Sequence, residues 1–461
     1  MSLQVQFEGA TGEVTGSLYV IRAGSHTVLL ECGLIQGTQD NEARNRQDFP
    51  VDIDDIDAVV LSHAHIDHSG RVPLLYKNGY SGPVYTHTAT RALCEIMLPD
   101  SGYLNERDAE YENRKRKRSG QSFITPLYTR EDAEHCIALF RTMEYGEKTE
   151  VVPGLFVTLH DAGHILGSAI VQLDHGKGGE HRTLVFSGDL GYRDSPVMND
   201  AARPGFADAV MLESTYGDRL HRDFDATIEE LGEVFANARA ALGNILIPAF
   251  TVGRTQDLLY LMAENRAAWG LDNWQIFLDS PMGIDASKVY SRYRNLYGVK
   301  LFGPEMHLPR LENFHTTRSP EESMQVNEIE SGAIVIAGSG MMSGGRIRHH
   351  LKHNIWRPEC HLVIVGYQAY GTLGRRIVDG AETIRLWGDE YRVRAQVHTI
   401  GGLSAHGDQA DLVDWYGSFD GRPPVYLVHG EPDAQKALAH KLRAELNAPA
   451  TIASRGQLVT I

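Results

Sequence analysis

The stretch Ser62-His63-Ala64-His65-Ile66-Asp67-His68-Ser69-Gly70 places four candidate metal ligands within six residues. It directly follows the apolar run Ala58-Val59-Val60-Leu61, which predicts a short buried strand that ends where the polar residues begin. Because side chains two positions apart on a strand point to the same side, His63 and His65 are predicted to face one point. The aspartate and the third histidine then lie on a turn into a helix, where they can face a second ion. The spacing therefore predicts two adjacent metal ions rather than one.

The types of ligand narrow the choice of metal. Imidazole and carboxylate ligands without thiolate favour zinc, with manganese or iron as substitutes. Isolated histidines are usually ordinary core or surface residues, and this chain has 21 of them. Three histidines and an aspartate that directly follow a strand are hard to explain by packing, so a metal site is the favoured interpretation.

Composition bounds the class of protein. With 461 residues the chain is expected to form two to three domains, and no apolar run approaches the ~18 residues that span a bilayer. No signal peptide is recognisable, so we expect a cytoplasmic protein without a membrane partner. The net charge of −16 argues against a protein that coats nucleic acid with basic surface, but it leaves room for a local cationic cleft. The scattered cysteines are predicted to be reduced thiols: Cys32, Cys94, Cys136 and Cys360.

The order of the predicted strands indicates one domain interrupted by another. In the first and last parts of the chain, polar residues directly follow the predicted strands. We therefore expect these residues to form a shared site along one edge of the sheet. In the middle, continuous apolar strands alternate with helical stretches, which is typical of a parallel α/β sheet with its own core. The sequence predicts an α/β protein with a split domain, residues 1–200 and 386–461, and an inserted domain at 201–385. The strand Val210-Met211-Leu212 is predicted to belong to the inserted sheet, and the strand at Val397 to the last part of the split domain.

Three polar residues later in the chain also follow predicted strands. His164 is flanked by glycines in Gly163-His164-Ile165-Leu166-Gly167, and glycine lets the backbone approach a site closely. Asp189 ends a strand in Phe186-Ser187-Gly188-Asp189, and a carboxylate with two oxygens can bridge two metals. His429 follows a late strand and can complete the second ion. Each of them alone is equally well an ordinary residue at a strand end, and only the whole set is specific.

This set of residues resembles the metallo-β-lactamase superfamily, in which H-x-H-x-D-H, a later His, a later Asp and a final His hold two zinc ions. The inserted domain, with Glu213 in Leu212-Glu213-Ser214-Thr215 and His406 in Ser404-Ala405-His406-Gly407, narrows the resemblance to the β-CASP nucleases. It covers essentially the whole chain and is closest to the prokaryotic relatives of the pre-mRNA 3′-end-processing endonuclease. The resemblance implies an αββα sandwich with an inserted parallel-sheet α/β domain.

The resemblance also implies a role for each ligand. The implied ligands of two zinc ions, with manganese as a substitute, are His63, His65 and His164 for the first ion and Asp67, His68 and His429 for the second, with Asp189 bridging. RNA-directed members of the family carry histidine at the last position, so His429 favours RNA as the substrate. The family's first motif normally has aspartate where this chain has Glu31, which is predicted to orient a ligand side chain without binding the metal itself.

The mechanism expected from these parts is hydrolysis of RNA phosphodiester bonds. A water shared by two zinc ions loses its proton near neutral pH and attacks the phosphorus in line. His406 is the candidate general acid that protonates the departing ribose oxygen, and Glu213 is predicted to orient His406. Asp67 is predicted to be a catalytic residue as well as a metal ligand. The products would carry a 5′-phosphate and a 3′-hydroxyl, in RNA processing or decay. Endonucleolytic cleavage is expected, with 5′-exonucleolytic cleavage as a second mode.

Several residues of the inserted domain are candidates for contacting RNA. Arginine suits bidentate contact with phosphate, and glycine-containing loops present backbone N–H groups to it. The candidates are Arg254, Ser343, Arg346, Arg375 and Arg376, for which ordinary surface exposure is the alternative. His349, His350 and His353 lie on a polar helix and are predicted to be solvated or to face RNA. RNA is the expected partner, and a homodimer is compatible with the sequence.

Three other functions compete with this one. A small-molecule ester, thioester or lactone hydrolase on the same fold needs neither the inserted domain nor a dedicated acid such as His406. A DNA nuclease is disfavoured by His429. A non-catalytic RNA-binding subunit is disfavoured because every implied metal ligand is present.

Overall fold

The computed structural model describes residues 2–297, 313–368 and 371–461. The chain divides into two compact units, of which the first comprises Met1–Leu220 with His406–Ile461 and the second comprises His221–Ala405. The second unit therefore interrupts the first along the chain. In the described parts of the chain, no helix is both long enough and apolar enough to cross a membrane.

The elements follow one another along the chain in three groups. The part of the first unit that precedes the insertion contains β1 (Leu3–Phe7), β2 (Tyr19–Ala23), β3 (His26–Leu30), α1 (Gln39–Ala43), β4 (Ala58–Val60), α2 (Ile66–Ser69), α3 (Val72–Lys77), β5 (Val84–His87), α4 (Thr88–Ser119), α5 (Arg130–Cys136), β6 (Phe140–Met143), β7 (Lys148–Val152), β8 (Leu155–Asp161), β9 (Ala169–His175), β10 (Arg182–Phe186) and β11 (Ala209–Leu212). The second unit contains α6 (Phe224–Ala240), β12 (Ile245–Pro248), α7 (Arg254–Glu264), β13 (Gln275–Asp279), α8 (Pro281–Arg292), β14 (Phe314–Thr316), α9 (Pro320–Val326), β15 (Ala333–Ala337), α10 (Ile347–Asn354), β16 (His361–Ile364), α11 (Leu373–Val378), β17 (Thr383–Leu386), β18 (Asp389–Arg392) and β19 (Gln396–Thr399). The chain then returns to the first unit with α12 (Gln409–Gly417), β20 (Val425–Leu427), α13 (Pro432–Leu446), β21 (Ala450–Ile452) and β22 (Leu458–Thr460). Short 3₁₀ turns lie at Arg44–Arg46, Ile53–Asp55, Ile137–Leu139, Gly178–Glu180, Leu271–Asn273 and Arg294–Leu296.

The first unit is a sandwich of two mixed sheets. One sheet has the strand order β22-β1-β2-β3-β4-β5-β6 and the other β21-β20-β11-β10-β9-β8-β7. Alternate residues of both sheets point into one apolar core, where the rings of Tyr19 and Phe186 lie 5.4 Å apart. The outer face of the second sheet packs on α12 and α13, which bury Val210 together with Trp415 and Leu438. Helix α4 packs along β5 and β6 of the first sheet, so the layers are helix, sheet, sheet, helix.

The second unit is a separate α/β domain. Its six-stranded sheet has the order β14-β13-β15-β12-β16-β19, and every pairing in it is parallel. Helices cover both faces, since Ile247 packs with Leu258 of α7 on one side and Val335 packs with Leu351 of α10 on the other. This double cover explains the continuous apolar strands in the sequence. Strands β17 and β18 form a separate antiparallel hairpin.

Both boundaries of the insertion lie twenty residues further along the chain than predicted, at 220 rather than 200 and at 405 rather than 385. Strand β11 pairs in parallel with β10 and β20, so Val210-Met211-Leu212 belongs to the sandwich. Helices bury the outer face of β11 as well, so both of its faces are apolar. The strand therefore lacks the alternation of apolar and polar residues that is typical of a sandwich strand with one exposed face. Conversely, Val397 pairs with Leu362 in the inserted sheet, where β19 is an edge strand with a half-polar pattern.

Candidate metal centre and active site

The first motif places its histidines at the end of β4, where the chain leaves the sheet. Nε2 of His63 lies 3.1 Å from Nδ1 of His65, which in turn lies 3.2 Å from Nε2 of His164. His63 is fully buried and His164 almost so. The three nitrogens therefore converge on one point, although β4 ends at Val60 and both His63 and His65 lie beyond the strand.

A second group lies beside the first. Nε2 of His68 is 3.2 Å from Nε2 of His429, and Oδ2 of Asp67 is 3.3 Å from the same His429 nitrogen. Asp67 and His68 lie on the single turn of helix α2. His429 follows β20, and its own backbone is left-handed, with a φ of 48°. Such a conformation is disfavoured for a residue with a Cβ atom and is typical of functional sites.

Asp189 lies between the two groups. Its Oδ2 is 3.4 Å from Nε2 of His63 and 3.6 Å from Nε2 of His164. Its Oδ1 is 3.3 Å from Nε2 of His68 and 3.6 Å from Nδ1 of His429. One carboxylate oxygen thus faces each group, which is the arrangement that bridging requires.

The chemistry of the donors fits metal ions. A tetrahedral ion with bonds of about 2.0–2.1 Å places its ligands roughly 3.3 Å apart, close to the separations in both groups. Oδ1 of Asp189 is buried and makes no well-directed hydrogen bond to any described residue. A buried carboxylate oxygen of this kind needs a cation or a donor. The described residues that can ligate one ion together include His63, His65, His164 and Asp189 in one set and Asp67, His68 and His429 in another.

Glu31 contacts the second group through Nδ1 of His68. One of its oxygens accepts a hydrogen bond from the backbone N–H of Ser62 at 2.6 Å, and the other lies 2.5 Å from Nδ1 of His68. The residue is fully buried and has a positive φ of 68°. Because Nδ1 is engaged by the carboxylate, Nε2 of His68 is the nitrogen that points to Asp67 and His429.

Glu213 and His406 form a pair at the edge of the centre. Nδ1 of His406 lies 3.1 Å from Oε1 of Glu213, which also accepts a hydrogen bond from the N–H of Leu190 at 2.7 Å. Nδ1 of His406 is 3.9 Å from Oδ2 of Asp189. Burial disfavours the charged imidazole, but the carboxylates of Glu213, Asp189 and Asp67 together outweigh it and raise the pKa of His406 to about 9. The imidazole therefore carries an additional proton at neutral pH, and a fifth of the side chain is exposed.

Three hydroxyl groups around the centre were missed by the sequence analysis. Oγ of Ser62 lies 2.9 Å from Nδ1 of His63, and Oγ1 of Thr215 lies 3.0 Å from Nδ1 of His429. Oγ of Ser168 accepts hydrogen bonds from the N–H of His164 and of the following residue. The hydroxyl of Ser62 engages the nitrogen of His63 that faces away from the other candidate ligands, whereas the nitrogen of His429 bound by Thr215 also faces Asp189. The adjacency of Ser62 to His63 was the only signal of this kind in the sequence, and the contact of Thr215 required the fold.

The candidate RNA-contacting residues of the inserted domain fall into two groups. The guanidinium groups of Arg254, Arg346 and Arg375 bind the nearby carboxylates of Asp257, Asp279 and Asp379 at 3.0, 2.6 and 2.9 Å. Arg346 additionally donates to the carbonyl groups of Thr317 and Arg318. Ser343 and Arg376 are exposed.

The histidines of α10 also differ from one another. His350 is fully buried and lies between Asp279 and Asn327, so the prediction that it is solvated or faces RNA is wrong. Its position on the inward face of α10 placed it in the core. His349 and His353 are exposed, as predicted for a polar helix.

Comparison with known families covers nearly the whole chain. Residues 11–248 match the model of the metallo-beta-lactamase superfamily, residues 255–377 match the Beta-Casp domain, and residues 390–453 match the Zn-dependent metallo-hydrolase RNA specificity domain. Fold and ligand set together define a metal-dependent hydrolase. The chain belongs to the metallo-β-lactamase superfamily and, within it, to the β-CASP family, which confirms the predicted fold class and family.

Individual relatives agree with this placement. Ribonuclease TTHA0252 of Thermus thermophilus is 40% identical over 461 residues, which cover 98% of this chain and 99% of the relative. The transcription termination factor FttA of Methanothermobacter thermautotrophicus is 32% identical over 446 residues, and the match covers 92% of this chain but 66% of that protein. A crystal structure of a protein of unknown function from Enterococcus faecalis V583 covers 100% of both chains with a TM-score of 0.54 and 12% identity, which is a likeness of fold alone.

Proposed function

We propose that this protein is a zinc-dependent ribonuclease that hydrolyses RNA phosphodiester bonds in RNA processing or decay. The observation that carries the proposal is the contact between Glu213 and His406 beside the clustered metal-ligand side chains. Hydrolysis of an activated ester or lactone needs little help for its leaving group, whereas a ribose oxygen needs a proton donor. The name of the Thermus relative, which matches over its whole length, supports RNA as the substrate.

The ligand side chains have a defined role in this proposal. His63, His65 and His164 would hold one zinc ion, and Asp67, His68 and His429 would hold the other, with Asp189 placed between the two groups of side chains. When bound, zinc supplies positive charge for the phosphoryl oxygens and lowers the pKa of water towards neutrality. Manganese, which accepts the same nitrogen and oxygen ligands, is the expected substitute.

The remaining steps belong to side chains of the chain itself. His406 gives its proton to the departing 3′-oxygen, and the products carry a 5′-phosphate and a 3′-hydroxyl. Glu213 accepts hydrogen bonds from Leu190, Thr215 and the His406 ring, so the carboxylate is fixed and holds the imidazole in its charged form. Glu31 and the hydroxyls of Ser62 and Thr215 keep the histidine rings from rotating away.

We assign direct contact with RNA phosphate to those candidates whose side chains are exposed. Ser343 and Arg376, which are exposed, remain the candidates for direct contact. Arg254, Arg346 and Arg375 already bind carboxylates, so we assign them to holding the shape of the loops. Cleavage within the RNA is the expected mode, and exonucleolytic cleavage from the 5′ end is a second mode under the same chemistry.

End-labelled substrates test this function directly. The full-length protein is incubated with RNA, DNA, a generic phosphodiester and a thioester, each with added zinc and with EDTA. We expect zinc-dependent cleavage of RNA with product ends that carry a 5′-phosphate, and much slower cleavage of the other three. Faster turnover of the thioester or of DNA than of RNA would overturn the proposal. The lengths of the products distinguish internal cleavage from stepwise removal of nucleotides.

A further inference from the structure

An aromatic and basic stripe lies on the inserted domain at α10 and the β17–β18 hairpin. It comprises Arg348, His349, Lys352, His353, Trp356 and Trp387. The ring of Trp387 lies 4.4 Å from that of His349, and the guanidinium carbon of Arg348 lies 5.0 Å from the centre of the Trp387 ring. These contacts join the hairpin turn to the exposed side of the helix.

The two tryptophans of the stripe are unusual in their exposure. Trp387 is 51% and Trp356 50% exposed, whereas Trp269, Trp274 and Trp415 are all buried. Trp387 also occupies a hairpin turn with a positive φ of 51°, next to Gly388 with a φ of 100°. Asparagine or glycine is the usual residue at such a turn position, and a bulky side chain there is disfavoured. Neither burial nor turn geometry accounts for this ring.

The spacing along α10 extends the stripe. His349 and His353 are four residues apart and share one face of the helix, and Trp356 follows three residues later, just beyond the end of α10. The rise from His349 to Trp356 is about 10 Å, which spans roughly three stacked bases. The three rings are therefore about 5 Å apart along the helix axis, wider than the roughly 3.4 Å rise of stacked bases, which suits a single strand whose bases are not stacked on one another.

The charge of the stripe points to an anionic partner. The chain carries a net charge of −16, yet α10 contains Arg348 and Lys352 and no acidic residue. Of the acidic residues that flank it, Glu390 is paired with Arg385 and Glu359 with Arg357, whereas the exposed Asp389 at the start of β18 makes no ion pair with a described residue. Aromatic rings interleaved with cations are the means by which proteins bind single-stranded nucleic acid without reading its sequence, because every base has a face that stacks.

We propose that this stripe binds a single-stranded segment of RNA by stacking its bases on Trp387 and Trp356 while Arg348 and Lys352 contact the phosphates. The stripe would hold substrate outside the metal centre, so this inference rests on the proposed ribonuclease function for its biological meaning. Binding itself does not depend on cleavage. The two can therefore be tested apart.

The test measures affinity with a probe that resists cleavage. The full-length protein is titrated with a labelled single-stranded 2′-O-methyl phosphorothioate RNA of about 20 nucleotides, long enough to cover several stacking positions, and with the matching duplex. We expect Trp387→Ala and Trp356→Ala each to weaken single-strand binding about tenfold and to leave duplex binding nearly unchanged. Trp387→Phe should keep most of the affinity, since a ring remains. Quenching of tryptophan fluorescence on binding should decrease in each alanine variant.

Controls and kinetics make the outcome decisive. Leu242→Ala removes a more exposed apolar side chain of the same domain, 71% exposed, and should change nothing. With cleavable RNA, the alanine variants should raise KM while kcat stays near that of the parent protein. Unchanged single-strand affinity in both alanine variants would overturn the proposal and indicate a protein partner for the stripe. An equal loss of duplex affinity would overturn it in favour of general electrostatic attraction. If the protein cleaves no RNA but its single-strand binding still depends on Trp387 and Trp356, the ribonuclease proposal is overturned and the RNA-binding proposal is supported.

Discussion

Nδ1 of His406 lies 3.1 Å from Oε1 of Glu213, and this contact joins two residues that are 193 positions apart in the chain. Glu213 is fully buried and its carboxylate is fixed by backbone N–H groups, so the mobile partner is the histidine. The pair contributes no ligand to the first histidine group and can be altered separately from it. Substitutions in this pair should therefore affect proton transfer while metal binding is retained.

His406→Ala should retain both metal ions and lose most of the hydrolysis of RNA. Removing a general acid typically costs about 10²–10⁴-fold in kcat. Metal content by mass spectrometry and initial rates with end-labelled RNA measure the two effects together. His440→Ala removes an exposed histidine of α13 and should behave like the parent protein. Loss of metal from His406→Ala with little loss of rate would show that this residue is a ligand and not an acid.

Asp189→Ala should lower metal content and activity together. Its two oxygens face different histidine groups, at 3.4 Å from His63 and 3.3 Å from His68, so its removal weakens both positions. Metal content is expected to fall below that of variants that lack a single terminal ligand such as His429. A variant that still carries two ions and cleaves RNA would disprove bridging. Asp174→Ala provides a control, since this buried carboxylate of the same sheet binds Lys148 and Thr183 and none of the candidate ligands.

Glu31→Gln should weaken binding of the second metal without abolishing the fold. The carboxylate accepts a hydrogen bond from the N–H of Ser62 and engages Nδ1 of His68, and a partner that orients a ligand ring in this way is worth about 10–100-fold in metal affinity. Glu31→Asp should lose affinity as well, because the shorter side chain cannot reach Ser62 and His68 from the same backbone position. Competition with a zinc chelator measures the affinities. Unchanged affinity in both variants would show that Glu31 only fills space.

His63, His164 and Asp189 could be named as candidate ligands because each follows a predicted strand within a few residues. Asp67 and His68 lie on α2 and were named because they belong to the same motif. The division of the whole set between two ions came from the family resemblance. The partner of each ligand was less accessible. Thr215 reaches His429 across 214 positions, and such a contact leaves no local trace in a single sequence. Glu31 was suspected only from the family resemblance.

Charge assignments were the weakest part of the sequence analysis. Arg346 lies in a glycine-containing loop, which is typical of phosphate contact, but its guanidinium group binds Asp279, which lies 67 positions earlier in the chain. Whether an arginine is free depends on where distant carboxylates lie, and strand and helix patterns do not determine that. The same applies to His350, whose burial depends on which face of α10 meets the sheet.

Asp279 should be a main determinant of acid stability in the inserted domain. The carboxylate is fully buried, and it contacts Arg346 and His350 at 2.6 Å, Ser323 at 2.5 Å and the hydroxyl of Thr317. Burial alone would raise its pKa, but the hydrogen bonds from His350, Ser323, Thr317 and Arg346 hold the pKa of Asp279 well below its ordinary value. A carboxyl group whose pKa is depressed on folding stabilises the protein above its unfolded pKa of about 3.9. That stabilisation is lost as the pH falls from there towards the folded pKa.

Asp279→Asn should therefore destabilise the protein most at neutral pH and less in acid. Breaking a buried ion pair costs about 3–5 kcal/mol, because the partner charges are left uncompensated. The thermal midpoint of the full chain, followed from pH 7 down to about pH 3, should fall less steeply in the variant than in the parent, since the variant lacks the titrating group. Asp285→Asn is the matched control: this half-exposed carboxylate pairs with Arg318 and Lys288 at the surface, and its loss should cost less than about 1 kcal/mol. Parallel acid profiles for Asp279→Asn and the parent protein would contradict the prediction, because they would mean that Asp279 gains no stability from being ionised.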